Sequence, residues 1–214
     1  MPPDLSPAAI GAGAARLGLA LDDAQLRRLA AYASLLSRWN AVHNLTAIRA
    51  GEDMLTHHLL DSLALVPQFT RITGSAAVRV LDVGSGGGLP GIVLAIAAPK
   101  ARLTLVDAVQ KKCAFLTQAR LELHLGNVEV VHGRVEALRG PSFDVIVSRA
   151  LATLAQLIAW TRHLLKPEGC WLAMKGKLPD QELAELPAAV RSTVTPLSVP
   201  GLHEQRHLVE MRTT

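Results

Sequence analysis

At 214 residues, half of them hydrophobic, the chain is long enough for one domain of ordinary size plus an extension, and with only 3% aromatics its core must come from Leu, Val, Ile and Ala. No apolar run reaches the roughly 18 residues of a membrane span, and the start MPPDLSPAAI lacks the basic residues of a signal peptide, so a cytoplasmic protein without membrane contact is expected. The net charge of +4 permits an acidic partner without demanding one: six Arg face six acids in residues 1–75, nine Lys/Arg face six in 76–159, and seven face six in the rest.

Residues 1–75 read as a helical extension. Ser6-Pro7 suits the cap and first turn of a helix that closes at Gly18, and Asp22 or Asp23 starts a second, in which Leu26, Leu29, Ala33 and Leu36 recur at helical spacing. A third helix is expected from Glu52 to Val66, ending at Pro67. Between them, Trp39 to Ile48 (WNAVHNLTAI) sets two Asn, a His and a Thr among apolar residues, a pattern that suits a turn held by its own side chains or, equally, a ligand contact. In the third helix Asp61 lies three and four positions after His58 and His57, so a dyad or half a metal site can be drawn. No further acid or Cys at ligand spacing completes it, and a structural or RNA-facing hydrogen bond is expected instead.

Val78 to Pro99 (VRVLDVGSGGGLPGIVLAIAAP) is the stretch around which residues 76–214 are organised. Val78, Val80, Leu81 and Val83 form a short β-branched run bounded by turn residues, as in a strand covered on both faces. Gly84, Gly86, Gly87 and Gly88 then permit positive φ and leave no Cβ between backbone and ligand. Pro90 suits the first turn of a helix, and Ile92 to Ile96 supply a face to pack on the strand. Gly86, Gly88 and Gly91 also satisfy the dinucleotide pattern G-x-G-x-x-G. Asp82 argues against that reading, since its charge would repel a pyrophosphate but attract the ammonium of S-adenosyl-L-methionine. A second apolar run ends in Asp107, where a carboxylate can accept both ribose hydroxyls of either cofactor. A turn shaped only for packing is disfavoured by the backbone entropy of four glycines in five positions.

Helix and strand then alternate. Val109 to Leu125 reads as a helix with Phe115, Leu116, Ala119 and Leu123 on one face, followed by a strand at Val128 to Val131 and a loop at Gly133 to Glu136 suited to an adenine edge. Phe143 to Ser148 is a further strand, and Arg149 stands at its carboxyl end, where open α/β sheets bind ligands; pairing with a nearby acid is the alternative role. Leu154 to Leu165 is expected as a helix, Cys170 to Met174 as a strand, Pro179 to Leu186 as a short helix, and strands near Val194–Val199 and His207–Met211 close the sheet antiparallel. Cys113 and Cys170, far apart in sequence, read as buried small hydrophobes rather than a disulfide or metal site.

Asp82 to Gly88 followed by Asp107 resembles the first two motifs of the class I S-adenosylmethionine-dependent methyltransferases, a Rossmann-like α/β fold. More narrowly, from about Leu29 to Leu208 the chain resembles the small-subunit ribosomal RNA guanine-N7 methyltransferase G family, also called glucose-inhibited division protein B. The carriers are Trp39-Asn40 with Asn44-Leu45-Thr46, His58 with Asp61-Ser62, Leu89-Pro90-Gly91, Lys111-Lys112, Ser148-Arg149-Ala150, Lys175-Gly176 and Arg206-His207. The resemblance implies a seven-stranded sheet, cofactor contacts at Gly84, Leu89, Val135, Glu136 and Arg149, and methylation of one guanine in a decoding-region loop of the small-subunit rRNA. Arg149 is the one residue assigned a catalytic role, and a monomer acting on rRNA or on the small subunit is expected.

What is missing agrees with that chemistry. A guanine N7 offers an in-plane lone pair and no proton, so no general base is needed, and positioning supplies most of the rate. The chain lacks the Asn/Asp-Pro-Pro-Tyr/Phe run of exocyclic amine methylation and the Pro-Cys nucleophile of pyrimidine carbon-5 methylation. A methyltransferase of another substrate, or an RNA-binding module retaining the fold, stays open at this point; a nicotinamide oxidoreductase is more remote.

Overall fold

The computed structural model describes residues 5–43, 54–140 and 142–214. Helix α1 (Pro7–Arg16) is capped by the Ser6 hydroxyl, which accepts the Ala9 N–H, and Gly18 follows in the left-handed region. Helix α2 (Asp23–His43) is opened by a reciprocal Asp22/Gln25 box. It runs through Trp39, where a turn was expected, because its apolar stripe continues there: Asn40 is buried in it and Trp39 packs edge-on against Phe115 at 5.5 Å. Asn44, Leu45, Thr46 and the helix start expected at Glu52 lie outside the described residues.

A π-helical segment (Met54–Leu60) continues into the short α3 (Asp61–Leu63). Pro67 does not end this run. It lies in the first turn of a new helix, α4 (Val66–Thr73), a position where its missing N–H is harmless.

Next come β1 (Arg79–Val83), α5 (Gly91–Ala97), β2 (Arg102–Asp107), α6 (Gln110–Glu122), β3 (Val128–His132), β4 (Phe143–Arg149), α7 (Leu154–Thr161), β5 (Leu165–Lys175), α8 (Asp180–Ala184), β6 (Val190–Pro196) and β7 (His207–Thr213). One seven-stranded sheet has the order β3-β2-β1-β4-β5-β7-β6. The strands from β1 to β5 are parallel, and β7 inserts antiparallel between β5 and β6. Strand β5 begins earlier than expected, pairing Leu165 with Phe143 before a register shift; Lys166 there bonds Asp144 at 2.7 Å.

Alternation along β1 divides its side chains. Leu81 and Val83 join Ile146, Leu154 and Trp171 on one face of the sheet, while Val80 faces Ile92, Leu94 and Leu103 on the other. The second face also holds Ile10, Leu29, Tyr32, Leu59 and Leu63 of residues 1–75. Helix α5 therefore lies between the sheet and the helices that precede β1, which is why Ile92 to Ile96 is apolar all round and fully buried. Gln25 of α2 caps its far end, donating to the Ile96 and Ala97 carbonyls. No helix among the described residues is long and apolar enough to cross a membrane.

Candidate active site

The register of the sheet brings three separate stretches to one level. Val83 pairs with Val106 on one side and Ser148 on the other, so Gly84, Asp107 and Arg149 emerge together at the carboxyl ends of β1, β2 and β4. Strand order reverses here, between β1 and β4, where doubly wound sheets open a crevice.

Two cavities occupy this crevice. One, of about 520 Å3, is lined by Gly84 to Gly87, Leu89, Arg149, Asp61 and Arg206, among others. The other, of about 370 Å3, is lined by Gly84, Asp107, Val109, Lys112, Val135 and Glu136, among others. Gly84 and Ala150 border both, so the cavities meet at the glycine turn. Gly84 has φ +68°, and an added Cβ would lie 2.5 Å from Leu151, which lines the second cavity.

Asp107 is buried, and its two oxygens accept the Gly86 N–H at 2.9 Å and the Val109 N–H at 2.8 Å, with Lys112 Nζ at 3.9 Å. Each oxygen keeps a second lone pair for a further donor. Asp82 and Gly88 line neither cavity. Asp82 is 0% exposed beneath the turn, where Oδ2 accepts the Gly91 N–H at 3.0 Å and Oδ1 has no hydrogen-bond partner. Burial pushes its carboxyl up to about 7, against the downward pull of the Ser85 hydroxyl, the Gly91 N–H and Arg149. A Cβ on Gly91 would stand 2.4 Å from Asp82 Oδ2, and one on Gly88 2.6 Å from Ile92, so Gly91 packs against that carboxylate and Gly88 against the side chain of α5.

Arg149 Nη1 donates to Asp61 Oδ2 at 2.8 Å and to the His57 carbonyl at 2.9 Å. Asp61 Oδ1 accepts Arg206 Nε at 3.2 Å, and Arg206 also bonds Glu204 at 3.0 Å. Asp61 thus holds two arginines on the wall of the first cavity. His58 is buried, and desolvation with the nearby Arg149 charge lowers its pKa to about 4, so it is neutral at pH 7. No group of three or more His, Cys, Asp or Glu among the described residues is arranged to hold a metal. Both cysteines are free and buried.

Sequence reasoning missed Arg206 as a member of this network, and it missed Tyr32. The fully buried Tyr32 hydroxyl on α2 donates to the Gly87 carbonyl at 2.5 Å, tying the extension to the glycine turn. Burial pushes the Tyr32 phenol well above its usual range.

The sheet, its single antiparallel strand and a cleft at the glycine turn define a class I S-adenosylmethionine-dependent methyltransferase fold. Solved structures agree on that fold: the glycopeptide N-methyltransferase MtfA complexed with sinefungin (TM-score 0.61, 16% identity, covering 73% of this chain and 87% of that one) and TrmN from Thermus thermophilus (0.55, 17%, 75% and 53%). A family model described as rRNA small subunit methyltransferase G matches residues 25–209. Proteins named ribosomal RNA small subunit methyltransferase G are 51% identical in Leptothrix cholodnii (94% of this chain, 93% of that protein) and 54% identical in Burkholderia multivorans (93% and 89%). The chain belongs to the rRNA small subunit methyltransferase G family.

Proposed function

We propose that this protein, as a cytoplasmic monomer, transfers the methyl group of S-adenosyl-L-methionine to N7 of a guanine in the small-subunit rRNA. Family membership supports the reaction class. The observation that carries the assignment of the site is the pair of cavities that meet at Gly84, since a nucleoside joined to an amino acid needs two compartments and a passage free of Cβ between them.

The residues fit that molecule. Asp107, with a lone pair left on each oxygen, takes the ribose hydroxyls, and Val135 and Glu136 flank the adenine. Gly84, Gly86 and Leu89 line the methionine side. Asp82 contributes from beneath: its buried carboxyl braces the turn through the Gly91 N–H, and an ammonium bound above it would favour its charged form. Gly88 keeps the turn close to α5. In this reading residues 76–214 form the methyl-transfer unit, and residues 1–75 an extension that holds the turn from behind.

Bound there, the cofactor supplies an electrophilic methyl on sulfonium sulfur. The N7 lone pair forms the new bond while sulfur keeps the old electron pair, so no proton moves and the protein has only to align and screen. Arg149 is the residue for this task, because Asp61 and the His57 carbonyl fix its guanidinium at the cavity wall. Removing a charge-assisted contact of about 1.5 to 3 kcal/mol predicts that Arg149→Ala lowers turnover about 10- to 150-fold. Arg206 still neutralises Asp61 in that variant, so its melting temperature should stay near that of the wild type. Wild-type turnover would remove Arg149 from the reaction.

A further inference from the structure

Four of the nine Lys/Arg of residues 76–159 lie together away from the cleft. At the amino-terminal ends of β1 and β2, Arg79, Lys100, Arg102 and Arg120 line an open groove of about 1180 Å3 that follows the edge strand β3, and Glu129 is the one carboxylate in its lining. Lys100, Arg102 and Arg120 are exposed and, among the described residues, form no ion pair. Arg71, Lys166 and Arg212, at the same end of the sheet, each hold a carboxylate within 3 Å. The wall of the groove is rigid: Asn127 Nδ2 donates to the Ala95 and Ala101 carbonyls at 3.1 and 3.0 Å and fixes the loop before β3. Four cations crowded along one groove with a single carboxylate among them repel each other, and a polyanion laid along it relieves that repulsion while shedding its own counterions.

We infer that this groove binds the sugar-phosphate backbone of a second segment of the small-subunit rRNA, distinct from the segment that enters the cleft. The inference rests on the rRNA reading above. Strand β1 separates groove from cleft by roughly 15 Å at about 3.3 Å per residue, so one nucleotide cannot reach both. A folded RNA that presents two segments can, and the groove thereby favours the structured subunit over a short loop as substrate.

Binding of the full chain to small ribosomal subunits, followed by filter retention at several salt concentrations, tests this. The variant Lys100→Gln/Arg102→Gln/Arg120→Gln should bind more weakly and lose about 2 to 3 from the slope of log K against log[salt], with cofactor affinity unchanged. The single Lys100→Gln should lose about 1, which serves if the triple variant melts early. A charge-matched variant, Arg16→Gln/Arg27→Gln/Arg28→Gln, should keep the wild-type slope. An unchanged slope in the groove variants, an equal loss in the charge-matched one, or a photocrosslink from position 100 to ribosomal protein rather than RNA would overturn the inference. Wild-type protein that binds subunits with the full slope but transfers no methyl would overturn the methylation reading alone.

Discussion

Asp107 shows how much one side chain at a strand end accomplishes. Its carboxylate orders the glycine turn through the Gly86 N–H and the start of α6 through the Val109 N–H, and it faces the second cavity with lone pairs to spare. A ribose bond to a carboxylate is worth about 1.5 to 3 kcal/mol, so Asp107→Ala should weaken cofactor binding about 10- to 150-fold in calorimetry, and an unchanged affinity would remove it from the site. Asp82 makes a prediction of different sign from most carboxylates. Its folded pKa is raised from 3.8 to about 7, so the folded state holds a proton that the unfolded chain releases, and stability falls as pH rises through that interval before levelling off. Asp82→Asn should flatten this dependence in thermal melts between pH 4 and 7; an identical pH profile in both proteins would contradict it. The placement of Asp107 and Arg149 at the crevice was legible because each ends a parallel strand at the carboxyl edge of the sheet. The Asp61–Arg149–Arg206 network was not, since it joins positions 88 and 145 residues apart in sequence, and sequence spacing suggested only the local histidines.

Among the elements, α2 carries most of what pattern reading could not reach. Its Leu29, Ala33 and Leu36 stripe was readable, whereas its continuation past Trp39 depends on the Phe115 contact, which tertiary packing alone supplies. Pro67 was expected to end a helix and instead begins α4, because proline suits the first turn of one helix as well as the end of another. The same α2 holds the glycine turn, by Tyr32 at the Gly87 carbonyl, and the far end of α5, by Gln25 at the Ile96 and Ala97 carbonyls. Tyr32→Phe leaves a buried carbonyl without its partner, a loss of about 1 to 3 kcal/mol, or roughly 2 to 12 °C in melting temperature for a chain of this length. Calorimetry should also record weaker cofactor binding, because Gly87 lines the first cavity. Full retention of both properties would mean that the tether does nothing for the turn.

On the scale of the whole molecule, parallel sheet, switch point and the helices before β1 act together: the sheet aligns Gly84, Asp107 and Arg149, and α3 supplies the Asp61 that holds Arg149 in place. The β-α alternation made the sheet legible, and the glycine turn located the edge at which the two cavities meet. Charge balance alone did not separate cleft from groove, since residues scattered from 79 to 120 meet only in the fold. Incubating the protein with methyl-labelled S-adenosylmethionine and small ribosomal subunits that lack the modification, then digesting the rRNA and separating its nucleosides, tests the central claim most directly. The account predicts label in 7-methylguanosine. Label in any other nucleoside, or none from protein that binds the cofactor, would contradict it.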